Sequence, residues 1–350
     1  MDPSDTKLAS DVLQRYGRLN IEMKFTPTKR RKRVLLAVAA IVLLIIADIV
    51  FYPMLAQPPG PTPTAQDNGL WLRYTWYFGG AHDYDALAQR LKNERIRDAY
   101  FHVRGIDADG RLHYRYPDRA KRVTSEIHKR SPGVRVVAWI YAGNSHGMGK
   151  VDLSRADVRA AMVKEAVWLT ETCGFDGVQW DYEICNDGDP DLPKLLEETR
   201  AAMAPGKLLS VATALWSPIP VKRLGWSDAY FQKIAARCDQ MTVMGYDSGI
   251  YSPRVYAWLI SQQVVHVTQD AAAVNPNCRV LIGVPTYAKG GASHDPHTEN
   301  LRMALIGVRA GLGNSNTKQS AFAGVAPFAD YTTQESEWRT YQEVWLGRHE

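Results

Sequence analysis

From Gly69 onward the chain repeats one unit: a short apolar run, a polar break, then a helical pattern. The runs are LWLRYTW (70–76), DAYFHV (98–103), VRVVAWIY (134–141), FDGVQWDYE (175–183), LLSVATA (208–214), QMTVMGYD (240–247), VLIGVPTY (280–287) and FAGVAPF (322–328). Their length and their β-branched and aromatic content predict buried strands. Helical periodicity fills 85–96, 156–172, 192–203 and 300–311 between them, with Ser154 a predicted cap for the second and Asp157 in its first turn. Eight such units predict a (β/α)8 TIM barrel, which takes about 250 residues. An open doubly wound sheet would want a glycine-rich phosphate loop after an early strand, and no GxGxxG occurs.

The segment ahead of the barrel has a different composition. Val34 to Tyr52 reads VLLAVAAIVLLIIADIVFY and directly follows the basic cluster Lys29–Arg33. A bilayer-spanning helix needs roughly 20 apolar residues, and basic flanks stay cytoplasmic. The expected layout is a cytoplasmic tail (1–33), a single-pass anchor (34–52), a proline-rich linker (53–68) and an extracytoplasmic barrel (69–350). The linker, QPPGPTPTAQDN at 57–68, reads as an extended spacer holding the barrel off the membrane. A cleaved signal peptide is the alternative, but its apolar core should be only about 7–15 residues long. The net charge of +5 owes much to the one basic cluster. It marks no nucleic-acid face.

The four cysteines form no CxxC pair, which argues against zinc or thiol-redox chemistry. Cys238 and Cys278 each precede a predicted strand, so they are candidates for a disulfide, with free buried thiols the alternative. HDPH (294–297) has two histidines but no helical spacing, so no metal or other cofactor is expected.

Chemistry concentrates on the fourth run. Side chains on a strand alternate between faces, so Gln179, Asp181 and Glu183 share one face, opposite Val178, Trp180 and Tyr182. Acids inside an apolar strand need a partner or a task. Two carboxylates one strand repeat apart repel when both ionise, which raises one pKa and keeps a proton available. In a barrel, functional groups gather at the C-terminal strand ends. Those ends carry Trp76, Trp139, Tyr141, Trp216, Tyr246, Asp247, Tyr287 and Phe328. Together they suggest an aromatic pocket suited to stacking on sugar rings.

GFDGVQWDYE (174–183) resembles the fourth-strand signature of glycoside hydrolase family 18, the chitinase-like barrels, written DGxDxDxE. Asp176, Gly177, Asp181 and Glu183 match, and Gln179 stands where the family has an aspartate. Met244-Gly245-Tyr246-Asp247 resembles the family's sixth-strand MxYD, and GVPTY (283–287) its seventh-strand segment. The resemblance implies a substrate-assisted retaining glycosidase acting on an N-acetylated glycan of the cell envelope or surface. Glu183 would be the general acid, Asp181 would orient the substrate's acetamido group, and Tyr246 would hydrogen-bond it. Asp176, Gln179, Asp247 and the aromatics at the strand ends would contact sugar. Gln179 is expected to donate to Asp181 without being able to take its proton. WIYAGN on the third strand and Phe328 on the eighth also depart from the chitinase pattern. A non-catalytic carbohydrate-binding protein on the same barrel is the second reading, since fold does not fix function.

Overall fold

The structure, a computed structural model, describes residues 29–63, 67–147, 149–219 and 225–348. Most of the expected cytoplasmic tail lies outside them. The chain divides into two compact units, residues 1–48 and 49–350.

In the first unit the described residues belong to helix α1 (Lys29–Leu55), which runs on past the unit boundary. Mean hydropathy reaches 3.1 in its most apolar window, none of which is buried. By length and composition it is fit to cross a membrane or to serve as a signal segment.

The second unit is an eight-stranded, all-parallel barrel in sequential order: β1 (Asn68–Leu72), β2 (Ile96–Gly105), β3 (Arg135–Gly143), β4 (Gly177–Glu183), β5 (Leu208–Thr213), β6 (Gln240–Met244), β7 (Arg279–Pro285) and β8 (Phe322–Phe328). Helices α2 (Tyr84–Asn93), α3 (Pro117–Arg130), α4 (Ala156–Val167), α5 (Asp191–Ala202), α6 (Asp228–Ala235), α7 (Pro253–Val274), α8 (Leu301–Leu312) and α9 (Glu335–Val344) alternate with the strands. Asp67 N donates to Ala323 O at 2.8 Å and Val325 N to the Asn68 side chain, which brings β8 against β1. This is the expected (β/α)8 barrel.

Two cores follow from the alternation of strand side chains. One packs the outward residues, such as Val178, Trp180 and Val211, against the helices. The other fills the barrel with Trp71, Tyr100, Val137, Trp139 and Leu281. Gly69 makes room inside: a Cβ there would lie 2.6 Å from the Tyr100 ring. At the base of the barrel a polar chain crosses the interior. Arg135 grips Asp98 with two hydrogen bonds, Gln240 donates to Asp98, and Tyr100 donates to Gln240. A fully buried carboxylate is tolerable because every bond it needs is made.

Local expectations differ at four places. Strand β1 ends at Leu72, because residues 74–79 turn, closing on Gly79 at a φ of 76°. Ser154 does not cap α4: its hydroxyl donates to Asp152 Oδ1 at 2.7 Å, and Arg155 holds the cap position without a side-chain bond. Cys238 and Cys278 are thiols with sulfurs 3.9 Å apart, well beyond the about 2.05 Å of a disulfide bond. Finally, residues 56–63 do not stand free as a spacer. Arg302 donates to Ala56 O at 2.9 Å and Arg309 to Pro59 O at 3.1 Å, which lays the linker along the barrel.

Candidate active site

Strand β4 carries its polar column up the barrel interior, from Gln179 through Asp181 to Glu183 at the rim. Gln179 is fully buried. Its carbonyl accepts from Trp71 Nε1 at 2.8 Å, and its amide donates to Ser210 Oγ at 3.1 Å and Thr242 Oγ1 at 3.2 Å. The amide therefore bonds to β5 and β6, not to Asp181 as expected. The donor to Asp181 is Trp139 on β3, whose Nε1 reaches Oδ2 at 2.8 Å. Gln179 is thus bonded within the barrel interior and has no exposed surface.

Asp181 is 4% exposed, and its Oδ1 accepts from no N–H or hydroxyl among the described residues. Burial, and then the charge of Glu183, push its carboxyl well above the usual range. Burial, and then the charge of Asp247, push Glu183 up as well. The two carboxyls stand one strand repeat apart on the same face of β4, Asp181 buried and Glu183 partly exposed at the rim. Two neighbouring bare charges in a poorly solvated site are costly, which favours one of the two carboxyls staying protonated. That proton is what a general acid needs.

Aromatic side chains surround the pair. Tyr246 is buried, and burial with the charges of Asp181 and Glu183 raises its hydroxyl well above its ordinary value, so it stays a donor. Phe328 stacks on Tyr246 at 4.8 Å and meets Trp71 edge-on at 5.5 Å. Tyr141 faces the same carboxylates, and their charges add to burial in raising its pKa. Tyr287 donates to Asp247 Oδ1 at 2.9 Å. A cavity of about 280 Å³ opens beside Glu183, Tyr246 and Asp247 and is also lined by Leu215, Trp226 and Met244.

Asp247 sits in the left-handed region, at a φ of 56°. Its backbone N–H and that of Ser248 donate to the buried Glu299 carboxylate, each at 2.9 Å. His294 lies against Glu299 at 3.0 Å and against Tyr287 O at 3.1 Å. Asp247, His294 and Glu299 bring ligand atoms within 4.8 Å of one another. The donors around Glu299 and the oxygens against both His294 nitrogens make this a clasp that fixes the loop after β6, not a metal site.

Three further expected site residues lie elsewhere. Asp176 precedes β4 at the barrel base, where it accepts from Val136 N and pairs with His128, each at 2.7 Å. Trp76 packs in the outer core, stacked on His82 at 3.9 Å. Trp216 stacks on His266 at 3.6 Å and donates to Asp228. In their place Trp226 lines the cleft, while Trp71, buried inside the barrel, holds Gln179. Strand parity marks Trp71 once β1 is taken to end at Leu72; nothing in the sequence marks Trp226, which a long loop after β5 carries to the cleft.

The sequence profile of the glycosyl hydrolases family 18 matches residues 73–346. A search of curated proteins finds no match. Among solved structures, the C-terminal domain of a putative chitinase from Desulfitobacterium hafniense DCB-2 is 17% identical, with 80% of this chain and 98% of that one covered and a TM-score of 0.57. A chitinase from Bacteroides thetaiotaomicron is 14% identical over 82% of this chain and 99% of its own, at a TM-score of 0.56. The Bacillus cereus spore cortex-lytic enzyme SleL is 13% identical over 82% and 76%, at 0.55. At these identities the likeness is one of fold. With the profile covering most of the barrel and the paired acids of β4 in their register, the chain belongs to glycosyl hydrolase family 18.

Proposed function

We propose that this chain is a membrane-anchored glycosidase that cleaves an N-acetylated glycan by a substrate-assisted retaining mechanism, the scheme by which this family departs from the two-carboxylate pattern. The observation that carries the reading is the placing of two carboxyls on one face of β4, Asp181 buried and Glu183 at the rim beside an aromatic cleft. Glu183, at the rim, gives its proton to the leaving glycosidic oxygen. Asp181, held by Trp139, takes up the charge that develops as the acetamido oxygen attacks the anomeric carbon. Tyr246 donates to that acetamido group, and Asp247 with Tyr287 receives sugar hydroxyls. Tyr141, Trp139 and Phe328 supply the apolar walls. The anchor is the apolar segment 34–52, with the N-terminus cytoplasmic and the barrel outside.

The test is hydrolysis of fluorogenic N-acetylglucosaminides and of peptidoglycan fragments. Glu183→Gln should lose at least about a hundredfold in kcat, the usual contribution of a positioned acid, while still binding the sugar. Full turnover in that variant would sink the assignment. Binding with no turnover in the wild type would instead favour a carbohydrate-binding protein.

A further inference from the structure

The linker runs in a direction that bears on which glycan the cleft meets. In a (β/α)8 barrel each helix begins at the catalytic rim and returns to the base. Arg302 is the second residue of α8, so it stands at the rim, and it holds Ala56 O at 2.9 Å. Arg309 lies two turns nearer the base, where it donates to Pro59 O at 3.1 Å, to Gly60 O, and to Val344 O on α9 at 3.1 Å. Pro61 and Pro63 lie beside Arg279 and Ser320, next to the starts of β7 and β8. Residues 56–63 therefore run from the rim toward the base along the barrel wall.

A second observation agrees. The guanidinium of Arg254, second residue of α7 and also at the rim, sits 4.1 Å from the ring centre of Tyr52, in the last turn but one of the apolar helix. Around it the rim exposes Tyr251, Val255 and Trp258, each about half uncovered. Trp258 is one turn on from Arg254 and shares its helix face. Tryptophan, tyrosine and arginine together are the side chains that settle at the headgroup level of a bilayer.

We propose that residues 56–63 are a strap that holds the catalytic rim against the bilayer, with Tyr251, Val255 and Trp258 in the headgroup region, and that the substrate is a glycan carried on a lipid. This rests on the reading of the chain as a membrane-anchored glycosidase. Chain order selects the occupant: the apolar segment ends at residue 52, and within the barrel's own unit Tyr52 and Ala56 lie against Arg254 and Arg302 of the rim.

The test uses the full chain in vesicles of phosphatidylethanolamine and phosphatidylglycerol. Single nitroxides are placed at Val255→Cys on the rim and Ser315→Cys at the base, both exposed, while the four native thiols are buried. Oxygen, which partitions into lipid, should relax the rim label, and a water-soluble nickel chelate the base label. Equal relaxation of both labels by the chelate overturns the proposal, as does release of the chain from the vesicles. With Arg302→Ala and Arg309→Ala combined, the rim label should become accessible to the chelate and the base label should not change; an unmoved rim label removes the strap. None of these signals depends on turnover, so they stand even if the glycosidase reading fails. For the substrate, the same double variant should lose about tenfold or more on a lipid-linked N-acetylglucosamine oligomer in those vesicles, an effect of lost tethering. Its rate on the free oligomer should be unchanged; equal losses on both overturn the lipid-borne assignment.

Discussion

Trp139 and Asp181 stand on neighbouring strands, and the indole Nε1 donates to Asp181 Oδ2 at 2.8 Å. In backbone register Trp139 is paired with Gln179, and Tyr141 with Asp181. The indole therefore reaches one repeat up the barrel to supply the donor that Gln179, engaged by Trp71, Ser210 and Thr242, does not. His102 stacks on Trp139 at 4.0 Å and backs the indole from β2. Burial holds that histidine's pKa down to about 4, so it adds no charge at neutral pH.

The first prediction follows from that donor. Its hydrogen bond lowers the Asp181 pKa against the larger effects of burial and of Glu183. Trp139→Phe keeps the ring and removes the N–H, so the pKa should rise further. A hydrogen bond to a charged group is worth about 1.5–3 kcal/mol, or roughly one to two pH units. The pair then loses its negative charge at a higher pH, and the acidic limb of kcat/KM against pH should move up by about one unit. An unmoved limb would mean that Trp139 only packs.

Asp247 acts on the other acid. Its charge is the second cause, after burial, of the raised Glu183 pKa. Asp247→Asn should lower that pKa. Because the acid must be protonated, activity then fades at a lower pH, and the alkaline limb should shift down by about half a unit to one unit. The pH profile of the variant on a soluble substrate decides it.

Gln179→Leu should cost stability rather than chemistry. It leaves the Trp71 N–H and two hydroxyls in the barrel interior without their partner. An orphaned buried donor costs about 1–3 kcal/mol, so the urea midpoint should fall measurably. The folded fraction should retain sugar binding, since Gln179 has no exposed surface. A variant as stable as the wild type would contradict the bonding seen here.

At the base, Arg135→Ala should strand Asp98. Removing one partner of a buried pair costs about 3–5 kcal/mol; the low end applies because Arg135 is a third exposed. The sign with pH is fixed. Without Arg135 the folded-state pKa of Asp98 is higher still, so the deficit is small at low pH, where Asp98 is protonated in both proteins, and grows as pH rises and Asp98 ionises in the folded wild type. Thermal unfolding of both proteins at pH 4 and pH 8 tests this, and a deficit that shrinks with pH would refute it.

The sequence by itself determined the barrel, the strand that carries the acids and the face they share. Eight apolar runs with helical spacing leave few alternatives, and a two-residue period fixes which side chains point inward. It also placed Tyr246, Tyr287 and Phe328 near the acids, because their strand ends are set by the same count. Only the tertiary structure decided what each polar group bonds to. Asp176 reads like a site residue, yet it lies below the strand, bonded to β3 and α3. Trp76 and Trp216 lie beyond their strand ends, where a turn or loop sends the ring outward and strand parity no longer applies. Prolines in the linker mark an extended chain, but not the wall it lies on, which the reach of Arg302 and Arg309 decides. Periodicity is a property of neighbours along the chain, whereas hydrogen-bond partners are chosen across the barrel, between residues some 30 to 140 positions apart.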